Sequence, residues 1–390
     1  MKTLTGVCFV LMLLIGTGCS SGSSTQLAAS PSPASATVPP TLRPSPSATA
    51  QPTIAPLPSP TPGATAIPSY KAGVGRIVSS APASISLDEL FAGQDAVWYF
   101  TEESGRVAQA DLVHGEEVTT TEVGNATSAP YGNPKDMAVA GQIVWATDAG
   151  HHAVVKIDPT TNQVVDRIVL DKAAGAASAV TPFGLALDGT TLWVSDFDQG
   201  LVVKVDTTNK RVLATIDNVS NPEGMAVSPG AVWVVQHRSN SIVRIDSATN
   251  KIVATIDIPA AGGGGGVCGM CIDSVVASQD ALWVPLDRGN GVARIDLKTN
   301  QIVATIPLKM NIRSVAVGDK AIWAAGSLLD QSGCNHDVSG ALARIDPATN
   351  TEVGRLPIDC AMSVTATRSD VWVGTVADST DKLYRIKPDP

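Results

Sequence analysis

Along most of the chain, apolar residues alternate with polar ones or run in fours, interrupted at short intervals by Gly, Pro, Asn and Asp. Such patterning predicts short strands separated by turns. One phrase recurs. Ser241-Ile-Val-Arg-Ile-Asp246, followed by Thr249-Asn250-Lys-Ile-Val-Ala-Thr-Ile256, is nearly repeated by Gly291-Val-Ala-Arg-Ile-Asp296 and Thr299-Asn300-Gln-Ile-Val-Ala-Thr-Ile306. Weaker copies end at Asp158, Asp206 and Asp346. Before each copy stands a Val, Ile or Leu followed by Trp. All seven tryptophans (Trp98, Trp145, Trp193, Trp233, Trp283, Trp323 and Trp372) hold the same position of the unit. Each unit reads as four strands, in the fourth unit at residues 223–227, 231–235, Ser241–Asp246 and 251–258.

Seven units of four strands, repeating at about 46 residues, predict an all-β seven-bladed β-propeller. The phrases above resemble the repeats of the YVTN-type propeller family and, more distantly, those of streptogramin-lyase-like and NHL-type propellers. The resemblance covers about residues 74–390 and implies the fold far more strongly than any activity. The last unit stops after its third strand. Gly73-Val-Gly-Arg-Ile77 before Ala81-Pro82 looks like Glu352-Val-Gly-Arg-Leu356 before Pro357. An N-terminal strand at residues 74–80 is therefore expected to complete the seventh blade and remove an open edge. The Trp is expected to pack between neighbouring blades. Pairs such as Thr249-Asn250 are expected to turn the chain, capped by the preceding Asp.

Length variation marks one face. Eight residues always separate the apolar start of the first strand (Leu90, Met137, Leu185, Met225, Val275, Val315, Val364) from its Trp. Thirteen separate Trp from the third-strand Asp in five units, but the sixth unit takes 23, with an insertion at 328–338. The Asp-to-next-Trp spacing is 26 or 27 in short cases and 34, 35 and 37 after units one, two and four. In an up-and-down blade these second-to-third and fourth-to-first connections emerge together, so the long loops gather on one face, where binding usually resides. Cys268, Cys271, Cys334 and Cys360 map there too. An even number in an exported chain implies disulfides, and Cys334–Cys360 with Cys268–Cys271 is the preferred pairing. Cys268-Gly-Met-Cys271 lacks the helix N-terminus that would make it a redox pair.

Ten residues before each Trp lies a ring at the channel mouth: Asp88, Lys135, Phe183, Glu223, Asp273, Arg313 and Met362. A second ring follows the second strands, with Glu102, Asp148, Asp196, His237 and Asp287 in it or beside it. Such a mouth suits a small polar ligand, a peptide or a surface protein. The lyase-like resemblance implies His and Glu on this face acting with a divalent metal. Its Pro-His-Gly-type motif corresponds here to Asn133-Pro134-Lys135, Thr181-Pro182-Phe183 and Asn221-Pro222-Glu223, each without the His. Glu223 and His237 remain as a base pair or part of a metal site. Asp196-Phe-Asp198-Gln-Gly200 lacks the ligands of a calcium loop. No cofactor is expected, unless the lyase alternative supplies a metal.

The chain is 390 residues long, and its first 70 contain no Asp or Glu. They begin with a short basic and apolar leader that reads as a secretory signal. It ends in Ile15-Gly16-Thr17-Gly18-Cys19-Ser20, which resembles a bacterial lipobox and implies acylation of Cys19. Twelve of the 26 prolines follow between Pro31 and Pro68, so residues 19–70 read as a lipidated, disordered stalk in front of a propeller at 71–390. The formal charge of -9 argues against a nucleic-acid partner. The expectation is a monomeric, extracytoplasmic lipoprotein held at the bacterial cell membrane, its propeller a non-catalytic binding module. The alternative is a metal-assisted lyase or hydrolase.

Overall fold

The computed structural model describes residues 74–390, apart from 84–86, 88, 102–104, 125–133, 171–175, 238, 259–274, 287–290, 329–339 and 377–380. The described residues form seven four-stranded antiparallel sheets, each a blade with strands A to D running outward from a central channel. The fourth blade comprises Pro222–Ser228, Ala231–Gln236, Ser241–Asp246 and Lys251–Asp257, close to the expected bounds. One 3-10 turn, Ala149–His151, interrupts the all-β pattern.

The ring closes as the repeat implied. Gly75–Pro82 pairs antiparallel with Lys382–Pro388, from Gly75 opposite Pro388 to Pro82 opposite Lys382, and so becomes strand D of blade seven. The N-terminal strand thus covers the last sheet edge that the C-terminus would otherwise leave unpaired.

Between blades the tryptophans are all but fully buried. Trp233 of blade four, for example, packs in one cluster with Leu282 and Val284 of blade five. The cation opposite each Trp on strand C lies over its ring in five blades, at 5.1 Å for Lys204 on Trp193 and 5.9 Å for Arg385 on Trp372. The same cations reach the following blade. Arg244 Nη1 donates to Asn300 Oδ1 at 2.9 Å, and Arg294 Nη1 donates to the Pro347 carbonyl and to Asn350 Oδ1. One side chain therefore combines a cation–π contact with a hydrogen bond across the seam.

The acceptors of those bonds sit in the C–D turns. Asn250, Asn300 and Asn350 adopt φ of 55–58°, the left-handed region Asn tolerates. Asp246 Oδ1 accepts the amides of Ala248 and Thr249 at 3.1 and 2.7 Å, and Asp296 repeats the arrangement. The Thr249 and Thr299 amides hold these two carboxyls below the ordinary carboxylate value. A β-bulge follows in strand D: Val253 is the unmatched residue between the pairs Ile245–Ile252 and Arg244–Ala254. It is exposed, as are its counterparts Val118, Val165, Leu213 and Val303. Bulges twist an outer strand away from edge-to-edge pairing, so these apolar side chains are spread around the rim without forming a flat strand edge.

Candidate functional site

The seven A strands surround a cavity of about 580 Å³, lined by Leu90, Met137, Leu185, Met225, Val275, Val315 and Val364. Lys135, Arg313 and Met362 of the predicted ring line its insertion-side end, together with Glu89 and Asp136. Ala92, Val317 and Ala366 at its other end also border a second cavity of about 790 Å³. That cavity lies among the A–B turns, with Gln94, Asp319 and Arg368. A volume of this order, with polar and apolar groups both in its lining, suits a small ligand.

The predicted ring coincides with irregularities of strand A. Pairing with strand B slips between Pro222 and Met225 around Glu223, between Ile312 and Ser314 around Arg313, and between Ala361 and Ser363 around Met362. A bulged residue has no cross-strand partner and its side chain is re-aimed. Gly326 and Gly374 lie across from two of these bulges. A Cβ on Gly326 would come 2.1 Å from the Asn311 carbonyl oxygen, and one on Gly374 would come 2.4 Å from Ser363 Oγ.

Across blades two to four a row of side chains is in contact. Lys135 Nζ lies 5.3 Å from the centre of the Phe183 ring, which stacks on Phe197 at 5.3 Å. The rings of His237 and Phe197 form a T-shaped pair with centres 5.8 Å apart, and His237 Nδ1 is 2.7 Å from Glu223 Oε2. With its proton on Nδ1 the imidazole donates to the carboxylate. The Glu223 side chain is 8% exposed and that of His237 29%, so the ring remains reachable while its orienting carboxylate is shielded. Backbone ties hold the row. Asn221 Nδ2 donates to the Phe197 carbonyl at 3.2 Å, and Asn221 accepts the His237 amide at 3.1 Å. Ser195 Oγ accepts the Gly184 amide at 2.7 Å and donates to the Glu223 carbonyl at 3.2 Å. A Cβ on Gly184 would stand 2.3 Å from that same carbonyl oxygen.

Other predicted mouth residues are differently employed. Asp148 is fully buried, paired with Arg167 and with His151 Nδ1 at 2.8 Å. Asp196 is fully buried as well, accepting the amides of Thr181 and Gln199 at 2.9 Å and Gln199 Nε2 at 2.7 Å. Both carboxylates organise their own loops. Asp88, Glu102, Asp273, Asp287, Cys19, Cys268, Cys271 and Cys334 lie outside the described residues. Cys360 is buried at the start of blade seven. Sequence reasoning placed Phe183 in the ring but gave it no role, and it passed over Phe197 and Asp136. Asp136 Oδ2 accepts the Leu185 amide at 2.6 Å and ties blade two to blade three.

Among the described residues no three His, Cys, Asp or Glu side chains are grouped to hold a metal ion. At blade four the described donors are one imidazole and one carboxylate already joined to each other. Among the described residues the donors therefore do not by themselves complete the metal site that the lyase-like resemblance implies.

No protein-family model and no curated protein sequence matches the chain. Solved structures do. The chain is similar to a streptogramin B lyase structure at 16% identity, covering 79% of this chain and 97% of that one, with a TM-score of 0.58. It is similar to Kuenenia stuttgartiensis hydrazine synthase at 14% identity, covering 76% and 94%, with a TM-score of 0.53. A chain of a mitotic checkpoint complex matches at 10% identity, covering 86% and 98%, with a TM-score of 0.60. Such different proteins at such low identity share the fold alone.

Proposed function

We propose that this protein is an extracytoplasmic lipoprotein whose propeller binds a ligand, without transforming it, at the insertion-side mouth of its channel. The observation that carries the reading is the contiguous row from Lys135 through Phe183, Phe197 and His237 to Glu223. It brings the half-exposed rings of Phe183, Phe197 and His237 together at the mouth, a composition that favours recognition of a flat group. Capture from cell extract on full-length protein in detergent, read by mass spectrometry, tests it. Phe197→Ala is expected to weaken retention of the captured compound about tenfold or more, since an aromatic contact contributes roughly 0.5–1.5 kcal/mol beyond its buried area. Retention unchanged in Phe197→Ala and in Glu223→Gln would reject the mouth as the site.

A second reading has one observation in its favour, the imidazole oriented by a carboxylate, the arrangement of a general base. Likeness in fold to a streptogramin B lyase supports it further. Under that reading Glu223→Gln abolishes turnover while the captured compound is still bound. Under the binding reading the compound is recovered unaltered from the unmodified protein.

The anchor belongs to the same proposal, supported by the leader, the small residues before Cys19 and the Pro-rich segment behind it. Cys19→Ser is expected to move the protein from the membrane fraction to the soluble exported fraction. Undiminished membrane retention and unchanged incorporation of labelled palmitate would overturn the lipid anchor. Cys334–Cys360 is proposed as a disulfide bracing the loop of blade six against blade seven.

A further inference from the structure

The channel itself contains a charge that the mouth reading leaves unused. Four charged residues line the cavity of about 580 Å³: Glu89, Lys135, Asp136 and Arg313. The first three each interact with other groups, Asp136 through the amides of Met137 and Leu185, and Lys135 through the face of Phe183. Arg313 makes no hydrogen bond or ion pair with any described residue. It is only half-exposed, and it is the bulged residue of the longest A strand, Met310–Val317. Ile312 on one side of it is almost wholly buried, and Ser314 on the other receives the Val364 amide at 3.1 Å. The backbone is thus fixed on both sides while the guanidinium is turned out of the ladder to the cavity wall.

Among the described residues no carboxylate pairs with this half-exposed guanidinium, which leaves its charge available to an anion entering the channel. Its planar fork matches a carboxylate at two oxygens. Beyond it the lining includes the half-buried aliphatic side chains of Val139, Leu187, Val227 and Val317, with Phe91 stacked on Phe100 at 6.1 Å. We infer that the channel binds an organic carboxylate with an apolar body, the carboxylate on Arg313 and the body along the A strands. The inference rests on the reading of this face as a binding face and names the class of ligand that enters the channel from it.

Calorimetric titration of the full chain with octanoate and with phenylacetate, against octanamide and phenylacetamide, tests this. One-to-one binding of at least one acid is expected, about tenfold or more tighter than its amide, because a hydrogen bond to a charged group is roughly twice as strong as a neutral one. Arg313→Gln is expected to remove that preference with no change in melting temperature, and Arg313→Lys to retain part of it. A short peptide ending in a free Phe carboxylate, compared with its C-terminal amide, forms a second arm. Tighter Arg313-dependent binding of the peptide than of phenylacetate assigns the source of the carboxylate to a chain end. The inference fails if neither acid nor peptide binds, if amides bind as well as acids, or if Arg313→Gln binds as tightly as the unmodified protein. Those failures leave the mouth reading intact wherever Phe197→Ala still releases the compound captured there. Loss of the Phe197 effect with Arg313-dependent acid binding retained would instead reject the mouth and keep the channel.

Discussion

Truncation after Asp370 is expected to abolish folding. The cut removes strands Val371–Thr375 and Lys382–Pro388, leaving Ala361–Ala366 and the N-terminal strand Gly75–Pro82 with no sheet between them. Val371, Trp372, Val373, Leu383 and Ile386, all buried, go with them. Burying one such side chain contributes about 1.5–3 kcal/mol, so five together rival the roughly 5–15 kcal/mol that separates a folded domain from its unfolded chain. Damage extends to both neighbours. Val371, Val373 and Ile386 cluster with Trp323 of blade six, and Trp372 and Leu383 cluster with Leu90 and Val97 of blade one. The ring is opened as well as shortened, and two sheet edges are laid bare. Circular dichroism and protease resistance provide the check. A soluble, cooperatively melting protein ending at Asp370 would show that six blades and a remnant suffice, contrary to this view of closure.

The second large effect is expected from Trp283→Ala, a loss of about 3–5 kcal/mol as for other buried Trp or Phe truncations. Trp283 has no measurable exposure, and it packs in one cluster with Met310, Ile312 and Val315 of blade six. Its ring also supports Arg294, which lies 5.3 Å from the ring and donates to the Pro347 carbonyl of the next blade at 2.6 Å. Truncation therefore opens a cavity and loosens the clasp between blades five and six. Urea unfolding measures the loss. Arg294→Ala alone is expected to cost less, because the indole still fills the seam. Combined with Trp283→Ala, it should add less than its own separate effect, since the two share one interaction. A Trp283→Ala protein within about 1 kcal/mol of the original would mean that the seam closes over the gap.

Much of the fold was legible because its causes are local and periodic. Asp246 and Asn250 act within one turn, so their spacing alone announced the turn that the structure contains. Seven equally placed tryptophans counted the blades, and the likeness of residues 73–77 to 352–356 identified the closing strand. The ten-residue count back from Trp also located Glu223 and Arg313, because the A–B turn keeps its length in every blade. Position just after strand B, which named the second ring, could not show which carboxylates are already engaged. Asp148 and Asp196 stand there, yet both are buried and bonded to neighbouring groups.

What the amino-acid sequence determined by itself was the unit, its number, its closure and the face on which its loops lengthen. Each depends on short-range turn chemistry and on a repeating apolar pattern that is buried in the same way seven times. Tertiary structure alone decided which polar groups meet. The Phe183–Phe197 stack joins the approach to strand A of blade three to that blade's own B–C loop, while His237 meets Glu223 within blade four and Phe197 across a blade boundary. The turn of Arg313 into the channel depends on how strand A registers with strand B. Register is settled by pairing between strands and by packing of whole blades. No single stretch of the chain therefore carries the signal.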